Sequence, residues 1–332
     1  MTLSTSEQLH NFVDDLERTL DTDVPEVPRC RNVILCGMGG SAITSDIVAD
    51  CCFCSSPLPI TVQKSPLLPN WVGKGTLAVI SSYSGNTAET IEMYERARDR
   101  GCTVVAITSG GKLLELARRD GRIAMTLPEG LHPRHAIGYM IGYTLRIMNS
   151  AGCPDISDEI RSILPSLRDY RDALEREDSM AHRLASEILD HVPFVLAESR
   201  LKSVVLRWKT QFNENSKYVA FCSSVPEFRY CGLESWTLVS QENFKPILLE
   251  GCEASRGCVG RSVAAVKQAL KDSGKEFTDI VLGGANEMED MFRAIMLGDY
   301  TSIFMAELRG IDSAEVKPVM LMKERLKTRP PE

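Results

Sequence analysis

The 332-residue chain contains no apolar run approaching the ~20 residues that cross a bilayer. It also has no block of basic residues and no low-complexity segment. With a net charge of −7, neither nucleic acid nor an anionic membrane is expected as its main partner. The first residues carry Glu7, Asp14, Asp15 and Glu17 and are too acidic and amphipathic for a signal peptide. The chain has 11 cysteines, at spacings too irregular for a small disulfide framework, so a reducing, cytoplasmic setting is expected. Cys51 and Cys54 form one CxxC. It has no second CxxC and no nearby histidine, which argues against a metal or redox centre. Histidine is scarce: the five lie at positions 10, 132, 135, 182 and 191, with none beyond.

Apolar runs alternate with segments of helical spacing. An amphipathic helix is expected over 6–20, capped by Ser4 or Thr5. Strands are expected at 31–36, 59–63, 76–81, 102–108 and 122–127, with helices between them and another from Pro133 to about residue 150. The break Ala151-Gly152-Cys153-Pro154 suggests a boundary, dividing the chain into 1–152 and 153–332. Charged helix over 157–189 precedes a second series: strands at 193–197, 218–222, 246–250 and 277–282, helices at 200–213, 260–273 and 287–308, and a last helix over 313–327. Such alternation predicts an α/β protein with parallel sheets covered on both faces. Ligands of these sheets bind at the carboxyl ends of the strands, beside the point where strand order reverses.

Two loops fall at such ends. Ser81-Ser82-Tyr83-Ser84-Gly85-Asn86-Thr87 joins a buried strand to a helix. Hydroxyls at Ser82, Ser84 and Thr87, a turn permitted by Gly85, and the positive end of a helix make a site for a dianionic phosphate. Each hydrogen bond to such a group contributes roughly 1.5–3 kcal/mol. No lysine follows in the P-loop arrangement, which favours a phosphomonoester over a nucleoside triphosphate. The alternative is an ordinary turn capped by Thr87. The other loop, Gly37-Met38-Gly39-Gly40-Ser41-Ala42, fits a dinucleotide fingerprint, but its second strand ends in Gln63-Lys64 rather than the acid wanted about 20 positions on. Gly39 and Gly40 are better read as permitting close approach of a sugar, with Ser41 a further hydroxyl. The second half has Ala197-Glu198-Ser199-Arg200 at the matching place. Within Arg207–Lys217, Glu214 could take a proton from carbon beside a carbonyl if burial tunes it; a solvated helix end is the alternative.

Five segments in this order resemble a family: GMGGSA (37–42), SYSGNTAET (82–90), PRHAIGY (133–139), RWKTQFNENSK (207–217) and LGDYTSIFMAELRGID (297–312). The chain resembles double sugar-isomerase-domain (SIS) proteins, in particular the bifunctional phosphoglucose/phosphomannose isomerases. The resemblance implies two SIS domains and a homodimer with sites shared between subunits, with no metal or other cofactor. It also implies phosphate binding by Ser41, Ser82, Ser84 and Thr87, an enediolate-stabilising role for Arg134, and proton transfer by Glu214. Lys323 matches a lysine that helps ring opening, and Thr301 falls in the segment associated with mannose 6-phosphate.

One departure stands out. Where the family has a ring-opening histidine reaching in from the neighbouring subunit, this chain has Tyr230 within Pro226–Glu234. His135, beside Arg134, could be a relocated acid or base, or could simply pack or face solvent. The resemblance therefore implies an aldose–ketose isomerase acting on glucose 6-phosphate and fructose 6-phosphate, with mannose 6-phosphate also allowed. Its alternative is a phosphosugar-binding sensor that has lost turnover.

Overall fold

In the computed structural model, residues 3–238, 243–252 and 257–328 are described. The first half begins with α1 (Thr5–His10) and α2 (Phe12–Leu20). Ser4 starts α1 with a reciprocal cap: the Glu7 N–H donates to its Oγ at 3.2 Å and the Ser4 N–H to Glu7 Oε2 at 2.7 Å. Expected as one helix, the segment breaks at Asn11. There follow β1 (Asn32–Gly37), α3 (Gly39–Cys51), β2 (Ile60–Gln63), β3 (Thr76–Ser81), α4 (Ala88–Asp99), β4 (Thr103–Thr108), α5 (Gly111–Arg119), β5 (Ile123–Thr126) and α6 (Ile137–Ser150). These strands form a five-stranded parallel sheet, order β2-β1-β3-β4-β5.

The second half runs through α7 (Ser157–Leu174), α8 (Met180–Glu187), β6 (Val192–Glu198), α9 (Lys202–Glu214), β7 (Phe221–Val225), α10 (Glu227–Cys231), α11 (Leu233–Leu238), β8 (Phe244–Glu250), α12 (Gly257–Asp272), β9 (Thr278–Val281), α13 (Glu287–Leu308) and α14 (Lys317–Thr328). Its sheet is parallel, order β7-β6-β8-β9. Strand β7 starts three residues later than expected. The stretch after α9 is spent on a turn instead: Lys217 adopts a φ of 52° and the Tyr218 N–H donates to the Phe212 carbonyl at 3.0 Å.

Strand periodicity builds the layers, because alternate residues point to opposite faces. Val33, Leu35, Val79 and Val105 of the first sheet join Val195, Ala197 and Leu249 of the second in one apolar cluster with Leu16, Met140, Trp208 and Phe292 from the helices. The alternate residues Ile34, Ala78, Ile80 and Ala106 pack outward with Met93 and Leu113, while Leu196 and Leu248 pack with Val263 and Val266. The two sheets thus share a central helical layer. No described helix is long and apolar enough to cross a membrane.

Candidate active site

Strand order in the first sheet reverses between β1 and β3, whose ends Gly37 and Ser81 lie side by side. Both hydroxyl-bearing loops therefore leave the sheet together. The Tyr83 N–H donates to Ser41 Oγ at 3.4 Å, and Ser82 Oγ donates to Thr87 Oγ1 at 3.2 Å. Ser41 and Ser82 are buried and Ser84 is exposed. Thr87 occupies the N-cap position of α4, yet its hydroxyl makes no capping bond. The ordinary capped turn is thus not formed, and Thr87 Oγ1 is turned to its loop neighbour. Gly85 has φ +64°, and a Cβ there would lie 1.8 Å from the Gly110 carbonyl oxygen, so no other residue fits this turn.

The glycines of the first loop divide. Gly39 has φ +54° and open space where a side chain would be. At Gly40 a Cβ would meet the backbone of Pro133 and Arg134 at 3.3 Å. Its missing side chain is used by the protein itself, which accounts for Gly40 without the sugar.

That contact sets Arg134 against the start of α3. The guanidinium is 3% exposed. Its Nε donates to Asn215 Oδ1 and its Nη2 to the Ser313 carbonyl, both at 2.6 Å, while Nη1 lies 3.6 Å from Glu214 Oε2. Burial lowers the pKa of Arg134, and Glu214 opposes this. Behind it, Arg207 grips Asp299 through two bonds of 2.9 and 2.6 Å and donates to the Arg134 carbonyl at 2.9 Å. Gln211 donates to Asp299 at 2.9 Å, and Asn215 Nδ2 to Ser302 Oγ at 2.9 Å. Burial pushes the Asp299 carboxyl up, and Arg207 pulls it back. This buried network aims the last turn of α9 and holds the fork of Arg134 beside Glu214. The Glu214 side chain is 41% exposed, so the burial expected of a tuned base is absent from the single chain.

Several expected residues stand elsewhere. Thr301 is fully buried and donates to the Leu297 carbonyl of its own helix at 2.7 Å, so its hydroxyl is spent in α13 and not offered to a substrate. Tyr230, at the end of α10, is 72% exposed, with the Arg229 guanidinium against its ring and hydroxyl. Lys323 falls in α14, but its side chain lies outside the described residues. His135 neither faces solvent nor reaches a proton acceptor. It is 2% exposed, neither ring nitrogen has a partner among the described residues, and burial beside Arg134 and Arg207 holds it well below its ordinary pKa. It is a neutral core imidazole.

The sequence reading passed over His132. Tyr83, from the loop after β3, reaches across: its hydroxyl donates to the Pro128 carbonyl and accepts from the Leu131 N–H, both at 2.8 Å. His132 follows directly and is only partly buried. Burial and Arg134 hold its imidazole below 6.5, with Asp312 opposing and Lys217 assisting. Lys217 Nζ itself donates to the Glu214 carbonyl at 2.5 Å. The only available signal was proximity: His132 is two residues before Arg134.

Comparison with known proteins comes from three directions. Residues 177–326 match the family model described as bacterial phospho-glucose isomerase C-terminal SIS domain. The bifunctional phosphoglucose/phosphomannose isomerase of Caldicellulosiruptor bescii is 32% identical over 304 residues, covering 89% of each chain. The protein of that name from Aquifex aeolicus is 30% identical, covering 90% of this chain and 91% of its own. Among solved structures, tagatose-6-phosphate ketose/aldose isomerase from Escherichia coli superposes with a TM-score of 0.72 at 17% identity, covering 92% of this chain and 93% of that one. At that identity the likeness speaks for the fold.

Proposed function

The chain belongs to the bifunctional phosphoglucose/phosphomannose isomerase family, and on that premise we propose that it interconverts aldose and ketose hexose 6-phosphates through a cis-enediol(ate). The observation that carries the reading is the pair Arg134–Glu214, 3.6 Å apart, held by a buried network beside a hydroxyl-lined loop at the strand-order reversal. Ser41, Ser82, Ser84 and Thr87 bind the phosphate. Energy from that remote contact is spent on holding C1 and C2 over the carboxylate. Glu214 takes the proton from C2 of the aldose and returns it to C1. Arg134 stabilises the oxyanion that develops between these transfers. Glucose 6-phosphate and fructose 6-phosphate are the substrates, with mannose 6-phosphate as a further one.

Ring opening requires a proton to leave the anomeric hydroxyl and another to reach the ring oxygen. His135 is sealed in the core, and Tyr230 faces away from its own chain. His132, partly buried between the phosphate loop and Arg134, is the histidine suited to that exchange, being neutral near pH 7 and able to accept before it donates.

The enzyme works as a cytoplasmic homodimer of two-domain subunits, divided near residue 152, with Tyr230 acting at the partner's site and Lys323 helping ring opening. Support for the dimer is the run Val319, Met320, Leu321 and Met322 on α14, each more than half exposed, an apolar surface of the kind that marks association.

Proton NMR in deuterated water, with glucose and fructose 6-phosphates, tests the chemistry. Wild type introduces deuterium at C2 or C1, and Glu214→Gln abolishes the exchange. A wild-type protein that binds the sugar phosphates without exchanging a proton would be a sensor instead, and the isomerase reading would fall.

A further inference from the structure

The second sheet reverses its strand order between β6 and β8, as the first does between β1 and β3. A site is expected there on topological grounds, but the loop reads Ala197-Glu198-Ser199-Arg200 and offers no cluster of hydroxyls. A cavity of about 260 Å³ opens at this point, just below the usual range of roughly 300–1,000 Å³ for small-molecule sites. Its walls include Glu198 at the end of β6 and Arg200 just beyond it, Cys252 after β8, Glu287 and Asp290 from α13, and Cys54 beyond α3. With Glu159, the described lining sets four carboxyl groups against one guanidinium.

Most of these groups are already committed. Asp290 accepts from the Gly284 N–H at 2.7 Å and from the Cys252 N–H at 2.6 Å, which ties the surrounding loops together. Arg200 pairs with Glu287 at 2.8 Å, lies 3.3 Å from Cys54 Sγ and stacks on Phe53. Glu198 is different. It is 3% exposed; one oxygen accepts from the Arg200 N–H at 2.6 Å, and the other, Oε1, has no hydrogen-bond partner among the described residues. That oxygen is not among the enclosed polar atoms that lack a partner; Glu198 lines the cavity, where a ligand could supply the missing donor. Burial pushes the Glu198 carboxyl up to about 7, and Glu287 and Asp290 add to the effect against Arg200. A positive donor placed beside it would favour the charged form.

We propose that this cavity is a second ligand site, for a small molecule presenting a positively charged amino group, with Glu198 accepting from the amine. The charge balance is the reverse of the phosphate loop's. Arg200, the cation in the described wall, is already paired, so phosphorylated ligands are repelled. The proposal stands independently of the isomerase chemistry.

Calorimetric titration of the full chain with glucosamine, in saturating fructose 6-phosphate, tests it. Glucose serves as the comparison lacking the amine. The expected result is saturable glucosamine binding, at least tenfold weaker for glucose and tenfold weaker again in Glu198→Gln, whose isomerisation rate stays at the wild-type level. Absence of binding, displacement by fructose 6-phosphate, or equal affinity in Glu198→Gln would overturn it. A second readout needs no variant. Cys54 is exposed and lines the cavity, so its labelling by a thiol reagent, followed by peptide mass spectrometry, slows severalfold in glucosamine and not in glucose. Unchanged labelling counts against the site.

Discussion

Two histidines three residues apart have opposite surroundings, and that contrast bears on the proposed ring opening. The rings of His132 and His135 meet edge to face at 6.0 Å, but His135 is enclosed and His132 is not. A sequence pattern does not separate them, because both flank Arg134. If His132 opens the sugar ring, His132→Gln lowers turnover of glucose 6-phosphate by about 10²- to 10⁴-fold. It leaves deuterium exchange into glyceraldehyde 3-phosphate, which cannot close a ring, within a few-fold of wild type. Equal losses on both substrates would assign His132 a structural part only. The hydroxyl-bearing loop after β3 was readable from sequence, since a loop's composition and its place after a strand are local properties. Thr301 was not: which side of a buried helix a residue faces depends on what packs there.

At the scale of elements, α9 and α13 are joined by Arg207 and Asp299, both almost fully buried. The pair also carries the Arg134 carbonyl, so the helix contact and the site share one support. Breaking a buried pair leaves an uncompensated charge. Asp299→Ala is therefore expected to cost about 3–5 kcal/mol, measured as a lower urea midpoint, and to reduce isomerisation beyond the loss of folded protein. The long helix 287–308 was legible, bounds included, and so was every strand of the first sheet, because apolar periodicity states the element directly. The short α10 and α11 gave no such signal: five or six residues are too few to show a period.

For the whole molecule, burial of a neutral imidazole has a consequence for acid stability. His135 titrates at about its ordinary 6.5 when unfolded and well below that when folded. Below pH 6.5 the unfolded chain binds a proton that the native state refuses, so stability falls as pH falls, by up to ~1.4 kcal/mol per pH unit. Glu198 acts in the other direction: its carboxyl, raised from 4.5 to about 7, favours the native state at low pH and loses that contribution as pH rises towards 7. The difference between wild type and His135→Leu isolates the histidine. Denaturant unfolding at pH 7 and 5 should show a steeper acid loss in wild type, and parallel profiles would refute the assignment. Association belongs to the same scale. Leu321→Asp on α14 should shift sedimentation from dimer to monomer and lower activity with it; an unchanged dimer would move the interface elsewhere.

The sequence by itself determined most of the elements, the parallel α/β class and the two loops at the strand ends, because each is written in consecutive residues through period and turn chemistry. Tertiary structure alone decided that Arg134 meets Asn215 and Ser313, 81 and 179 residues away, that His135 is sealed while His132 is not, that Gly40 serves the backbone of Arg134, and that a carboxylate-lined cavity stands where the second half lacks a hydroxyl-rich loop. These are matters of burial and distance between remote segments, and they are settled only when the two sheets close over their shared helical layer.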